Sequence, residues 1–344
     1  MEPKMRNKAP KRASLIATLL VLFTILPQLV TGKENEIVVY SARKEHLIKP
    51  LFDAYSQKTG IKIKYITGKE GALLERLKAE GKNTPADMLI TVDAGNLWQA
   101  AQEGVLQPVD SEILRQAIPA KLRDPQNNWF GLSVRARTIV YNTEKVNPAD
   151  LKSYEDLASD RWNGKLILRT SKKVYNQSLV ASLIAEHGEE EAAKIVSGWV
   201  ENLAAAPFSN DTKALEAVAA GLGEITVVNT YYFGRLIKEK SELPLAIFWP
   251  NQDSGGVHMN VSGAGIVAHA DNKEGAQKLL EWLAGEQAQA SFAGLNMEFP
   301  ANPAVQPDPT VAAWGTFKGS PLNVALYGKL QTQAIILMDK AGYK

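Results

Sequence analysis

The feature that most constrains the fold is the apolar run Ala86-Asp-Met-Leu-Ile-Thr-Val92, which sits between two helical patterns. A short, nearly continuous apolar run bounded by turn residues is the pattern of a strand covered on both faces, as in a parallel sheet. Its neighbours repeat the theme. Glu36–Tyr40 is β-rich, and Leu47, Ile48, Leu51, Phe52 and Tyr55 then recur at helical spacing as far as Gly60. Ile61, Ile63 and Tyr65 alternate with lysines as a strand does, Leu73, Leu74 and Leu77 mark a helix stopped by Gly81, and 94–104 reads as a further helix. The order β-α-β-α-β-α predicts a doubly wound α/β layer.

A second pattern begins after the turn Pro125-Gln-Asn-Asn128. Strands are expected at 129–134, 138–141, 166–168 and 224–228, and helices at 179–187, 189–203, 212–221 and 231–240. The chain then changes again, with strands at 245–248 and 261–267, a helix over 271–285 capped by Asp271, and a last helix over 323–340. We read this as an α/β clamshell of two lobes joined by strand crossovers near 133–142. The N-terminal lobe is expected to comprise 33–135 plus about 260–306, and the C-terminal lobe about 136–259 plus 307–344. Ligands of such folds sit at loops after strand ends, where helix N-termini point. Three loops qualify: 41–46, 169–176 and 229–232.

The first 32 residues read as a leader. Lys4, Arg6, Lys8, Lys11 and Arg12 precede an apolar run over 14–26, and Val30-Thr-Gly32 supplies small residues for cleavage. The run is shorter than the roughly 20 residues of a membrane-spanning helix, so we expect a cleaved signal peptide and a periplasmic protein. No cysteine stands at the cut, so no lipid anchor is expected. Removing the leader lowers Lys+Arg from 39 to 34 and Asp+Glu from 37 to 36, which turns a net +2 into −2. That balance argues against a nucleic-acid partner. The chain has no cysteine at all, which removes disulfides, thiolate metal sites and cysteine nucleophiles.

The sharpest chemical feature is Tyr231-Tyr232, directly after the strand 224–228, with Tyr175 at the equivalent turn after 166–168. Three phenols are expected to converge in the cleft. Free phenol titrates near ~10, so it is a poor ligand for most divalent ions at neutral pH. A trivalent cation favours the ionised form strongly and selects hard oxygen donors. Tyrosines gathered without cysteine or clustered histidine therefore point to Fe3+ before zinc or copper. The same tyrosine pair also serves ordinary core packing with satisfied hydroxyls. His187, His258 and His269 form no zinc-type spacing, and Asp87 and Asp93 read as caps or structural groups. No nucleophile elbow, phosphate loop or paired-histidine helix is present, so no enzyme is expected. An oxyanion or small organic solute in the same cleft is the competing reading.

Several stretches resemble the bacterial periplasmic ferric-ion-binding proteins of the class II solute-binding fold. They are Val39-Tyr-Ser-Ala-Arg43, Pro85-Ala-Asp-Met88, Thr91–Trp98, Ser133–Asn142, Val174-Tyr-Asn-Gln177 and Asn229-Thr-Tyr-Tyr-Phe-Gly-Arg235. The resemblance runs over essentially the whole mature chain. It implies Fe3+ bound by Tyr175, Tyr231 and Tyr232 and delivered by a monomer to an ABC permease of the inner membrane. It also exposes a departure. Lys44 occupies the position where family members carry histidine, and Glu45 the adjacent tyrosine position. The remaining coordination is then left to a small anion such as carbonate, with Arg43, Arg135 and Asn229 as its holders, or to Glu45 or His46.

Overall fold

The computed structural model describes residues 35–344 together with Met1 and Glu2. The leader expected over 1–32 lies, apart from those first two residues, outside the described residues. The elements run β1 (Glu36–Ser41), α1 (Glu45–Thr59), β2 (Lys62–Thr67), α2 (Glu70–Glu80), β3 (Met88–Val92), α3 (Ala94–Gln102), β4 (Leu106–Gln107) and α4 (Glu112–Ala117). They continue as β5 (Phe130–Asn142), β6 (Leu166–Ile167), α5 (Val174–His187), α6 (Glu189–Glu201), α7 (Asp211–Ala219), β7 (Ile225–Asn229), α8 (Thr230–Glu239) and β8 (Leu245–Phe248). The last are β9 (Met259–Val267), α9 (Lys273–Ala284), α10 (Glu286–Gly294), β10 (Phe299–Pro300), α11 (Pro309–Ala312) and α12 (Ala325–Lys340). The described residues 35–344 belong to one compact unit.

The first half folds as its periodicity dictates. β1 pairs in parallel with β2 and with β3, and Val39, Met88 and Ile90 are fully buried. That double cover explains why 86–92 is apolar without alternation. β9 then lies antiparallel beside β3, so the strand order is β2-β1-β3-β9-β5-β7-β6.

β5 is the element that joins the two halves. The strands expected at 129–134 and 138–141 are one strand of 13 residues, every one of them buried. Phe130–Ala136 pairs with β9, whereas Arg137–Tyr141 pairs with β7 and Ile139–Asn142 with β8. A register shift between Gly131 and Ser133 bends the first part. Beyond the switch, Val140, Ile167, Leu215, Val218, Val228 and Leu236 form a separate core under α7 and α8.

Three local expectations are corrected. α9 is capped by Asn272, whose side chain accepts from the Gly275 amide, and not by Asp271. α5 begins at Val174, five residues earlier than expected, so Tyr175 lies in a helical first turn rather than in a loop. α10 was not anticipated. Its glycine and glutamine content hides the buried Ala288, Gln289, Phe292 and Ala293.

Candidate metal centre

Two helix starts build one wall of a cavity. β7 ends at Asn229, and α8 begins at Thr230, so Tyr231 and Tyr232 occupy its first turn with ring centroids 4.5 Å apart. Tyr175 occupies the first turn of α5. All three line a cavity of about 190 Å3 that is also bounded by Ala42, Arg43, Lys44, Leu47, Glu70, Arg135, Lys173, Arg235 and Glu298. The Asn229 amide donates to the Tyr231 oxygen at 3.3 Å, and the Tyr175 and Tyr231 hydroxyls influence each other's ionisation. The positive ends of two helices therefore face the three phenols, which favours negative oxygen there.

Side chains add to that field. The Arg135 guanidinium lies 5.1 Å from the Tyr175 ring, Arg169 5.3 Å, and the Lys173 ammonium 4.9 Å. Arg235 lies 5.0 Å from the Tyr231 ring and 4.9 Å from that of Tyr232. Burial holds the Tyr175 and Tyr231 hydroxyls above the ordinary phenol range, while Arg135 pulls both back down. Tyr175 and Tyr231 are thus held in the neutral form when nothing binds them, in surroundings already set to accept their charge.

Most of these cations have a carboxylate of their own. Arg135 pairs with Asp93 at 3.2 Å, Arg169 with Asp211 at 3.4 Å, and Lys173 with Glu70 at 2.7 Å. Burial pushes Glu70 up, but the Lys173 hydrogen bond and its charge outweigh this and leave the carboxyl below its usual range. Arg235 differs: its hydrogen bond goes to the Asn296 amide oxygen at 3.1 Å, and it forms no ion pair among the described residues.

The opposite wall is built otherwise. Arg43 is buried, stacked on Phe292 at 4.2 Å, and bound to Glu298 at 3.0 Å. Its Nε and Nη2 atoms, and the Nε of Arg135, are buried without hydrogen-bond partners. Lys44 lines the cavity. Glu45 and His46 do not: both are exposed in the first turn of α1, and Glu45 accepts from the Tyr65 hydroxyl at 3.0 Å.

Asp93 sits at the back of the site. Its φ of 77° and ψ of 129° are unusual for a residue with a Cβ, and its side chain explains the cost. The carboxylate accepts from Arg135, from Asn260 at 3.0 Å, from the Gly95 amide at 3.0 Å, and from Ser178 of α5 at 2.7 Å. Asp87 takes the Val38 and Asn272 amides. Both aspartates are therefore structural anchors, as their strand-end positions suggested.

Sequence reasoning missed Arg169, Lys173, Arg235, Glu70 and Glu298. Arg235 carried a readable signal, since it follows Tyr231 by four residues and Tyr232 by three on one helix face. Glu298 carried none, because its partner is 255 residues away. Among the described residues, the histidine and carboxylate group close enough to share a metal is Glu155, Glu186 and His187, and none of these lines the cavity.

The model of the bacterial extracellular solute-binding proteins matches residues 83–318. Iron uptake protein A1 of Synechocystis sp. (strain ATCC 27184 / PCC 6803 / Kazusa) is 44% identical over 319 residues, which is 91% of this chain and 89% of that protein. Among solved structures, Trichodesmium FutA in complex with iron and citrate ligands superposes with a TM-score of 0.87 at 46% identity, covering 90% of this chain and all of that one. Ferric iron-binding protein A of Mannheimia haemolytica, in an open conformation, gives 0.85 at 35% identity, over 90% of this chain and 99% of that one. The fold is the two-lobed class II clamshell of those proteins. With a wall of phenols inside that clamshell, the chain belongs to the bacterial extracellular solute-binding proteins.

Proposed function

We propose that this chain is the periplasmic binding component of a ferric-iron ABC importer, and that Tyr175, Tyr231 and Tyr232 hold Fe3+ as phenolates. The observation that carries the reading is the convergence of three phenols at two helix starts, with cations over their rings. The relatives named for iron uptake and ferric binding support it. The switch of β5 pairing between Ala136 and Arg137 supports lobes of 33–135 plus about 260–306, and about 136–259 plus 307–344. Exported past the leader, the monomer captures its cargo and passes it to a membrane permease. It is a carrier, not an enzyme.

A small anion completes the coordination. Arg43, Arg135 and Arg235 all line the cavity and supply positive charge for it. Carbonate or a carboxylate of similar shape fits such donors, and Asn229 holds the Tyr231 oxygen beside it. The same cationic lining favours a second reading, in which an oxyanion alone is the cargo.

Titrating metal-free protein with chelated Fe3+ while recording the visible spectrum separates the two. The ferric reading expects a charge-transfer band that saturates at one iron per chain. Tyr231→Phe/Tyr232→Phe should abolish the band and weaken binding by more than about a hundredfold, with the fold intact. Bound phenols must lose their protons, so affinity should fall as pH falls. A colourless titration would leave the oxyanion reading.

A further inference from the structure

A fourth tyrosine touches this site from behind. α12 ends at Lys340, and Gly342 takes a φ of 74°, a left-handed turn that a residue without Cβ accepts readily. The Gly342 amide bonds to the Asp339 carbonyl and the Tyr343 amide to that of Met338. This pair of bonds is a Schellman turn, and it swings Tyr343 inward until 3% of it remains exposed.

The Tyr343 hydroxyl donates to the Arg169 carbonyl at 2.7 Å and accepts from the Asn176 amide at 2.9 Å. Asn176 in turn donates to the Arg169 and Thr170 carbonyls and accepts from Arg137 at 2.6 Å. The Ser171 amide bonds to the Lys344 carbonyl at 3.0 Å. The segment 169–176, which carries Lys173 and Tyr175 into the cavity, is therefore tied at both its ends to the foot of α12. That helix is itself fixed: Gly328 packs on Trp98, and Gln331 bonds to Gln177 at 2.9 Å.

We propose that Tyr343 is a positioning residue for metal capture, acting through the 169–176 segment to set the Tyr175 oxygen. The inference rests on the ferric reading above. Tyr343 does not line the cavity and donates nothing to a bound ion. Its effect must pass entirely through Tyr175 and its neighbours, and that makes it testable by a double-variant cycle.

The measurement is the charge-transfer band and the rate of iron loss to a competing chelator, with circular dichroism to verify folding. Tyr343→Phe is expected to shift the band and speed iron loss about tenfold, because a ligand left loosely supported loses its geometry. In a Tyr175→Phe background the same change should add less than about twofold. An unshifted band with unchanged loss overturns the proposal, and so does an equal effect with Tyr175 absent. If Tyr343→Phe fails to fold, Gly342→Ala strains the turn while keeping the hydroxyl, and an unchanged band there overturns it equally. A colourless wild type would remove the ferric reading and this inference together, whereas a coloured wild type matched by both variants removes this inference alone.

Discussion

The two walls of the cleft are built from opposite materials. One wall, from α5, α8 and the segment 169–173, presents three phenols with cations over their rings. The other, from the β1–α1 loop and the residues after α10, presents Lys44, a buried Arg43–Glu298 pair and no phenol or imidazole. On the ferric reading proposed above, the first wall supplies the donors and the second supplies charge. The Lys173–Glu70 pair, whose members come one from each wall, is where the two meet.

That asymmetry can be broken in stages. The largest effect should come from Glu298→Gln, which leaves Arg43 buried without its counter-ion. Losing one partner of a buried pair costs about 3 kcal/mol, so urea denaturation should show that loss, and an unchanged midpoint would mean that Arg43 is already neutralised elsewhere. Next is Lys44→His, which places an imidazole on the wall that lacks one. It should tighten Fe3+ by about tenfold, near 1.4 kcal/mol, in a chelator competition. No gain would show that this wall stands too far from the phenols to ligate. Smallest is the pair Glu45→Ala and His46→Ala. Both residues are exposed and outside the cavity, so iron affinity should change by less than about twofold. A larger loss would bring the α1 start into the coordination shell.

A pH series tests the scaffold rather than the site. His258 is buried beside Arg137 and Arg135, and burial together with their charge lowers its pKa to about 3. The folded form keeps it neutral while the unfolded chain protonates near ~6.5. Its contribution to stability is therefore complete above that value and is lost progressively as pH falls toward 3. The slope should approach about 1.4 kcal/mol per pH unit, and His258→Gln should flatten it.

Much of this was legible in the sequence where the physics is local. Strand cover and helix periodicity placed β1, α1, β3 and β7 within a residue or two, and the tyrosine pair stood at a strand end that any α/β reading would inspect. The helical start of α5 was obscured by Lys172-Lys173 and by polar Asn176 and Gln177, which resemble a loop until their partners are known. Asn176 is buried only because Arg137 and Tyr343 converge on it from far along the chain. The charge pairing of the cavity is of the same kind: Arg43 with Glu298, and Lys173 with Glu70, are partners that no window along the chain can join.

The unbroken β5 has a mechanical consequence. Arg135 and Arg137 stand two residues apart on one face of a single strand, yet one is anchored to Asp93 and the other to Asp211. A rotation of one lobe on the other cannot be taken up as slack in a linker, because no linker exists at that point. It must be stored as twist along a hydrogen-bonded ribbon, like torque in a spring held at both ends. The stiffness of that strand then contributes to the force that resists any movement of one lobe on the other.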